Sequence, residues 1–151
     1  MLHHQCVTTC RQAHTTERDT FMNNDQLISA AQSAMLNAYA PYSKFSVGAA
    51  VRSDAGNIYT GCNVENAAYP IGQCAEASAI SAMISAGERS IAAIAVAGKG
   101  QALCTPCGGC RQRIREFATD TTPVLVCDES SLRHETTIGE LLPLSFGPEN
   151  L

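Results

Sequence analysis

Residues 106–110 read Pro106-Cys-Gly-Gly-Cys110, and residues 74–76 read Cys74-Ala-Glu76. Two cysteines three positions apart at the start of a predicted helix can direct both sulfurs to one point, and the amino end of a helix favours the thiolate form. A Cys-x-x-Cys pair alone is ambiguous, because redox pairs, closed zinc sites and open zinc sites all contain it. The stretch therefore predicts paired thiolates at a helix start and leaves their chemistry open.

Cys74 and Glu76 favour an open, catalytic zinc site over a redox pair or a closed zinc site. A third thiolate completes three protein ligands and leaves the fourth zinc position to water, as in catalytic zinc sites. Zinc lowers the pKa of a bound water to about 7, and Glu76 is close enough in sequence to move protons without binding the metal. A ligand-x-Glu pair followed by Pro-Cys-x-x-Cys is the signature of zinc-dependent base deaminases. A closed zinc or iron–sulfur site that also uses Cys104 stays open as an alternative, although it gives Glu76 no role.

The sequence around the two motifs predicts a three-layer α/β/α sandwich built on a mixed sheet of about five strands. Apolar residues at helical spacing predict a helix that starts near Asn24 or Asp25. Further helices are expected at 74–86 and 107–118, with a helical turn at 138–142. Four strands are expected at 47–52, 58–64, 91–97 and 123–127. The turn signal Asp54-Ala-Gly-Asn57 joins the first two strands into a hairpin.

Length and composition fit one domain. The chain has 151 residues, of which 45% are hydrophobic, enough to build a core. Residues 1–22 are polar and lack apolar periodicity, so we expect a poorly ordered tail followed by one catalytic domain over 23–151. Three of the eight cysteines fall within 104–110, and such crowding in a chain without a secretion signal indicates metal binding rather than disulfides.

Charge and hydropathy exclude some partners. The formal net charge is -4, and no basic stripe suited to a nucleic-acid backbone is visible. No apolar run approaches the roughly 18 residues that a membrane-spanning helix needs. We therefore expect a cytoplasmic enzyme acting on a small molecule, with neither nucleic acid nor membrane as a partner.

Beyond the metal motifs, the chain resembles the small cytidine deaminases of the homotetrameric class with three cysteines. The resemblance runs from about residue 24 to residue 146. It includes Pro41-Tyr-Ser-Lys-Phe-Ser-Val-Gly-Ala-Ala50, Gly61-Cys-Asn-Val-Glu-Asn-Ala-Ala-Tyr69 and Leu141-Leu-Pro-Leu-Ser-Phe146. It implies the cytidine deaminase-like fold, a homotetramer, one Zn²⁺ per subunit, and hydrolysis of cytidine and deoxycytidine to uridine and deoxyuridine in pyrimidine salvage. The zinc ligands would be Cys74, Cys107 and Cys110, and Glu76 would be catalytic.

The resemblance also implies which residues contact the nucleoside. Phe45 would pack against the pyrimidine ring, and Asn63 and Glu65 would hydrogen-bond the ribose 3′-hydroxyl. The backbone of Ala75 and the side chain of Glu76 would read the edge of the base. Without the resemblance, Phe45 would be interpreted as a core residue, because a single aromatic that leads into a strand is usually buried. Asn63 and Glu65 would be interpreted as solvent-exposed residues on one face of a strand.

Three further positions take roles from the resemblance. Phe146 would cover the base in a neighbouring subunit's site, and Tyr69 would lie at a subunit boundary. Arg111 would donate hydrogen bonds to the zinc thiolates, although an ordinary surface position on a helix is the plainer interpretation.

The chain departs from the family pattern at Ala77, where the three-cysteine class usually has an arginine. Three thiolates and one Zn²⁺ leave the site negatively charged, and a nearby arginine would draw electron density from the sulfurs. We hypothesise that Arg111 compensates. The departure keeps open a deaminase of a modified or larger cytosine nucleoside. A separate alternative of another class is a non-catalytic module whose zinc only stabilises the fold.

Overall fold

A computed structural model describes residues 17–151, with side chains from residue 24 onward. The main elements are α1 (Glu17–Met35), β1 (Val47–Ser53), β2 (Ile58–Cys62), α2 (Ala75–Ser85), β3 (Ile91–Gly98), α3 (Gly108–Phe117), β4 (Pro123–Cys127), β5 (Leu132–Thr137) and α4 (Ile138–Leu141). Short 3₁₀ turns occupy Tyr69–Ile71 and Pro148–Asn150. Residues 1–16 lie outside the described residues, so the predicted N-terminal tail is not tested there.

The five strands form one mixed sheet in the order β2-β1-β3-β4-β5. β1 pairs antiparallel with both β2 and β3, β3 pairs parallel with β4, and β4 pairs antiparallel with β5. The parallel pair needs a crossover, which α3 provides. This topology confirms the mixed, five-stranded sheet expected from the sequence.

Side chains along the buried strands point alternately to the two faces of the sheet, so the core has two layers. On β3, Ile94 and Val96 face α2 and α3, while the alanines at 93, 95 and 97 face α1. The small alanine side chains make room for α1, which contributes Leu27, Ala31 and Met35 to that layer. Helices therefore cover both faces of the sheet, which confirms the three-layer sandwich.

The structure differs from the sequence-based boundaries in three places. α1 begins at Glu17 instead of near Asn24, because asparagine is favoured at a helix start but is also tolerated inside a helix, so it does not require a boundary. β2 ends at Cys62, and Val64 forms only isolated bridges with Tyr39 and Gln73. β5 had no predicted position, because this edge strand is mostly exposed and lacks an apolar pattern.

Gly61 brings α2 directly against β2. An ideal Cβ at this position would lie 2.6 Å from Ser78 Cβ and 2.7 Å from the carbonyl oxygen of Ala75. Both partners belong to the first two turns of α2, so the position of that helix start is set by the strand beneath it. None of the helices in residues 17–151 is long and apolar enough to cross a bilayer.

Candidate active site

Two helix starts bring the three predicted cysteines together. Cys74 is the N-cap of α2, Cys107 is the N-cap of α3, and Cys110 lies in the first turn of α3. Their sulfur atoms all lie within 4.8 Å of one another. Residues 33 positions apart in the chain thus converge on one point.

The surroundings of the thiols suit a bound cation. Burial raises the pKa of Cys74 and Cys110 above their ordinary value, and the charge of Glu76 adds to the effect at Cys110. Burial also opposes ionisation of Cys107, but interactions with Cys110, first through its backbone N–H, lower the pKa of Cys107. Thiolates this close together repel one another unless a cation lies between them, and Zn²⁺ binds readily to sulfur ligands. The donor set therefore fits zinc.

Glu76 lies beside this group without joining it. The residue is in the first turn of α2, is only 5% exposed, and interacts with the Cys110 thiol. Within the described residues, no fourth Cys, His, Asp or Glu belongs to the cysteine group. A carboxylate beside three sulfurs leaves one zinc position for water, as a catalytic site requires.

Cys104 does not complete a closed site in this geometry. Its sulfur is outside the three-cysteine group, and its side chain is partly buried against the core and the backbone of Gly98. Burial, followed by the charge of Glu76, raises the pKa of the Cys104 thiol to about 11. Cys104 behaves as a packed, protonated thiol.

A cavity of about 480 Å³ opens beside Cys74. Its volume lies within the range of small-molecule sites. Three predicted substrate contacts line it: Asn63, Glu65 and Tyr69. Other lining residues are Tyr42, Ser43, Val64, Asn66, Gly72 and Gln73. The sequence reasoning did not single these out, although Tyr42 and Ser43 fall in a stretch that carries the family resemblance and Gln73 directly precedes Cys74.

Asn63 and Glu65 contact the chain segment that precedes β1. Asn63 Nδ2 donates to the carbonyl oxygen of Phe45 at 2.9 Å, and its Oδ1 accepts from the N–H of Val47 at 2.9 Å. Glu65 Oε2 accepts from the backbone N–H groups of Tyr42 and Ser43 at 2.8 and 3.2 Å. The hydrogen bonds from Ser43 and Tyr42 hold the pKa of Glu65 below its ordinary value. Glu65 therefore stays ionised at neutral pH.

The predicted aromatic contacts lie at the surface. Phe45 is 42% exposed, and its ring tip approaches Gly98 at the end of β3. Tyr69 is 73% exposed, with its ring centroid 5.7 Å from that of Tyr42. Neither ring is a core residue, so the plainer interpretation of Phe45 is wrong. The base contact at Phe45 and the subunit boundary at Tyr69 stay predictions.

Arg111 supports the loop in front of α3. Its Nε donates to the carbonyl oxygen of Pro106 at 2.7 Å, and its Nη1 donates to that of Leu141 at 2.8 Å. Its Nη2 donates to Thr105 Oγ1 at 3.3 Å. These bonds end on oxygen rather than sulfur, so donation to the cysteine thiolates stays a prediction.

Ala77 lines a groove between α2 and α3, together with Gln73, Gln112 and Arg113. The cationic side chain of Arg113 thus lies in the same groove as the position where the family usually has an arginine.

The C-terminal segment runs along the outside of α3. Gln112 Nε2 donates to the carbonyl oxygen of Phe146 at 2.9 Å, and Arg115 Nε donates to Ser145 Oγ at 3.0 Å. Arg115 also pairs with Glu149. Phe146 is 60% exposed and is not among the residues that line the cavity in its own chain.

Comparison with known proteins places this site in a family. The family model "Cytidine and deoxycytidylate deaminase zinc-binding region" matches residues 22–126, more than half of the chain and including both cysteine motifs. The chain belongs to the cytidine and deoxycytidylate deaminase family. The assignment made from the zinc motifs is therefore confirmed: the chain is a zinc-dependent deaminase, a hydrolase. The resemblance to cytidine deaminases is confirmed with it.

Individual members of the family support the same conclusion. A cytidine deaminase of Sporosarcina psychrophila is 43% identical over 130 residues, covering 86% of this chain and 96% of that protein. A cytidine deaminase of Mycobacterium tuberculosis is 41% identical over 122 residues, covering 80% of this chain and 87% of that protein. The crystal structure of cytidine deaminase from Burkholderia pseudomallei superposes with a TM-score of 0.77 at 43% identity, covering 81% of this chain and 98% of that one. These matches confirm the cytidine deaminase-like fold.

Proposed function

We propose that this deaminase hydrolyses the exocyclic amine of cytidine and deoxycytidine, giving uridine or deoxyuridine and ammonia. One observation carries the proposal: three sulfurs lie within 4.8 Å of one another, and a buried carboxylate lies beside them without joining the group. A structural zinc site needs a fourth ligand and has no use for Glu76. The relatives named cytidine deaminase support a cytosine nucleoside as the substrate.

Each member of the site has a definite task. Cys74, Cys107 and Cys110 would hold the zinc, which supplies a water acidic enough to act as a nucleophile near neutral pH. Glu76 takes one proton from the attacking water and passes it to the ring nitrogen. It then takes the proton of the added hydroxyl and delivers it to the amine, which leaves as ammonia when the C–N bond breaks and the carbonyl forms. Burial of Glu76 keeps its carboxylate close to the reacting atoms and away from bulk water.

The cavity beside Cys74 suits the rest of a nucleoside. Asn63 and Glu65 line it and offer an amide donor and a carboxylate acceptor, a combination that can bind a sugar hydroxyl. We assign Phe45 to the face of the pyrimidine ring, and the backbone of Ala75 with the Glu76 side chain to the edge of the base. Arg111 secures the loop that precedes Cys107 and adds positive charge near the ligands.

The assembled form is proposed to be a homotetramer in the cytoplasm, serving pyrimidine salvage. Tyr69 lines the cavity and is 73% exposed in the single chain, and Ile71, in the same 3₁₀ turn, is 70% exposed. Large exposed apolar side chains grouped around a site are typical of subunit boundaries. Phe146 is exposed and held at the outside of α3, so it would act in the site of a neighbouring subunit.

Ultraviolet absorbance tests the proposal. The zinc-loaded protein should convert cytidine and deoxycytidine, and Glu76→Gln should lower kcat by about 100- to 10,000-fold while zinc content stays the same. Free cytosine and a cytosine nucleoside with an enlarged sugar should be assayed in the same way. Conversion of free cytosine as fast as cytidine would contradict a nucleoside enzyme. Preference for the enlarged nucleoside would favour the wider-substrate alternative.

A further inference from the structure

Residues 42–47 form an exposed segment that carries Phe45 into β1. Residues 42–45 are all exposed, so little burial fixes their conformation. Lys44 has a positive φ of 60°, a left-handed conformation that costs energy in any residue with a side chain. Such a conformation persists only where surrounding contacts impose it.

Asn63 supplies two of those contacts, one on each side of Phe45. Its amide nitrogen donates to the carbonyl oxygen of Phe45, and its amide oxygen accepts from the N–H of Val47, both at 2.9 Å. The backbone N–H of Asn63 also donates to the carbonyl oxygen of Val47 at 3.1 Å. One side chain therefore fixes the peptide groups that flank the aromatic residue.

Glu65 holds the other end of the same segment. One carboxylate oxygen, Oε2, accepts both the Tyr42 and the Ser43 N–H. Hydrogen bonds to a charged acceptor are stronger than those between neutral groups. The two fixed ends lie on either side of the strained Lys44.

We propose that Asn63 and Glu65 act as a clamp on residues 42–47 and are positioning residues for Phe45, in addition to facing the sugar. The clamp rests on the proposed function, because it matters for catalysis only if Phe45 contacts the base. The amide of Asn63 already uses one N–H and one oxygen lone pair on the segment. Removing it therefore releases the Phe45 backbone whatever the sugar carries.

The test combines variants with a substrate that lacks the proposed sugar contact. Asn63→Ala should lower kcat/KM for cytidine by about tenfold, the effect of losing two hydrogen bonds. With 3′-deoxycytidine, which has no 3′-hydroxyl, the sugar contact is absent and a loss of at least about threefold should remain, since the clamp is still removed. With that same substrate, Asn63→Ala should cost less than about twofold more in a Phe45→Ala background, because the side chain that it positions is already gone.

Asn66→Ala is the matched control. Asn66 has the same side chain and lines the same cavity, but its Oδ1 accepts from the N–H of Ala68 within its own loop at 2.9 Å. The change in kcat/KM caused by Asn66→Ala should simply add to the change caused by Phe45→Ala. Asn63→Asp is the second variant if Asn63→Ala folds poorly, because it keeps the acceptor for Val47 and loses the donor to Phe45. Melting temperature and zinc content are measured for every variant.

A loss that vanishes with 3′-deoxycytidine, or one that adds fully to that of Phe45→Ala, would overturn the clamp. Phe45→Ala without effect on kcat/KM would overturn it as well. In all three cases the unmodified enzyme still converts cytidine. Failure of the unmodified, zinc-loaded enzyme to convert cytidine would instead refute the proposed function.

Discussion

Substituting Gly61 by alanine tests whether the contact between β2 and α2 fixes the metal centre. The added Cβ would lie 2.6 Å from Ser78 Cβ and 2.7 Å from the carbonyl oxygen of Ala75, closer than the 3.0 Å below which real Cβ atoms essentially never come. It would also overlap the backbone nitrogen of Ala79. Backbone atoms cannot rotate away, so the helix must move by about 1 Å to restore an ordinary van der Waals contact with the Ala79 nitrogen.

That movement should reach the active site, because Cys74 caps α2 and Glu76 lies in its first turn. Overpacking costs about 1–3 kcal/mol, which lowers Tm by about 3–9 °C in a chain of this size. Displacing catalytic groups by almost 1 Å lowers kcat/KM by about 10- to 100-fold. Thermal unfolding, metal analysis and the cytidine assay measure the three effects on one preparation.

Gly108→Ala is the matched control for Gly61→Ala. An ideal Cβ at Gly108, the first residue of α3, meets nothing within 4 Å, so alanine fits there without a clash. The same substitution should therefore leave Tm unchanged or raise it. If Gly61→Ala kept the parental Tm and kcat/KM, the claim that close packing of α2 positions the ligands would be refuted.

Two further predictions concern the periphery of the site. Removing residues 144–151 should abolish deamination but leave zinc content intact, because Phe146 is proposed to complete the active site of a neighbouring subunit. If the truncated enzyme still deaminates cytidine in the absorbance assay, Phe146 does not contribute to that site. Arg111→Gln should raise the pH at which activity appears, because positive charge near the cysteine sulfurs is lost. Arg89→Gln, at an exposed position before β3, is the control for lost surface charge and should leave the pH–rate profile unchanged. If the pH–rate profile of Arg111→Gln is unchanged, the charge of Arg111 does not affect the zinc-bound water, and its role is limited to the hydrogen bonds with the carbonyl oxygens of Pro106 and Leu141.

The buried strands and the metal ligands were predictable because each leaves a local signal. The apolar run at 91–97 predicted β3 almost to the residue, and the two cysteine motifs predicted helix starts at α2 and α3. β5 was not located, because an exposed edge strand needs no apolar face. The hydrogen bonds of Asn63 and Glu65 to residues 42–47 were not predictable either, since partners 16 to 23 positions apart leave no spacing rule.

The amino-acid sequence by itself determined which side chains are candidates for the zinc chemistry. Three thiols and a carboxylate at short spacing limit the possible chemistry, because affinity for zinc is a property of these groups themselves. Tertiary structure decided which of the candidates share the site. Sulfurs from residues 74, 107 and 110 meet within 4.8 Å, while Cys104 is turned into the core beside Gly98. Distance between side chains depends on how α2 and α3 pack on the sheet, and that packing depends on contacts made across the whole chain.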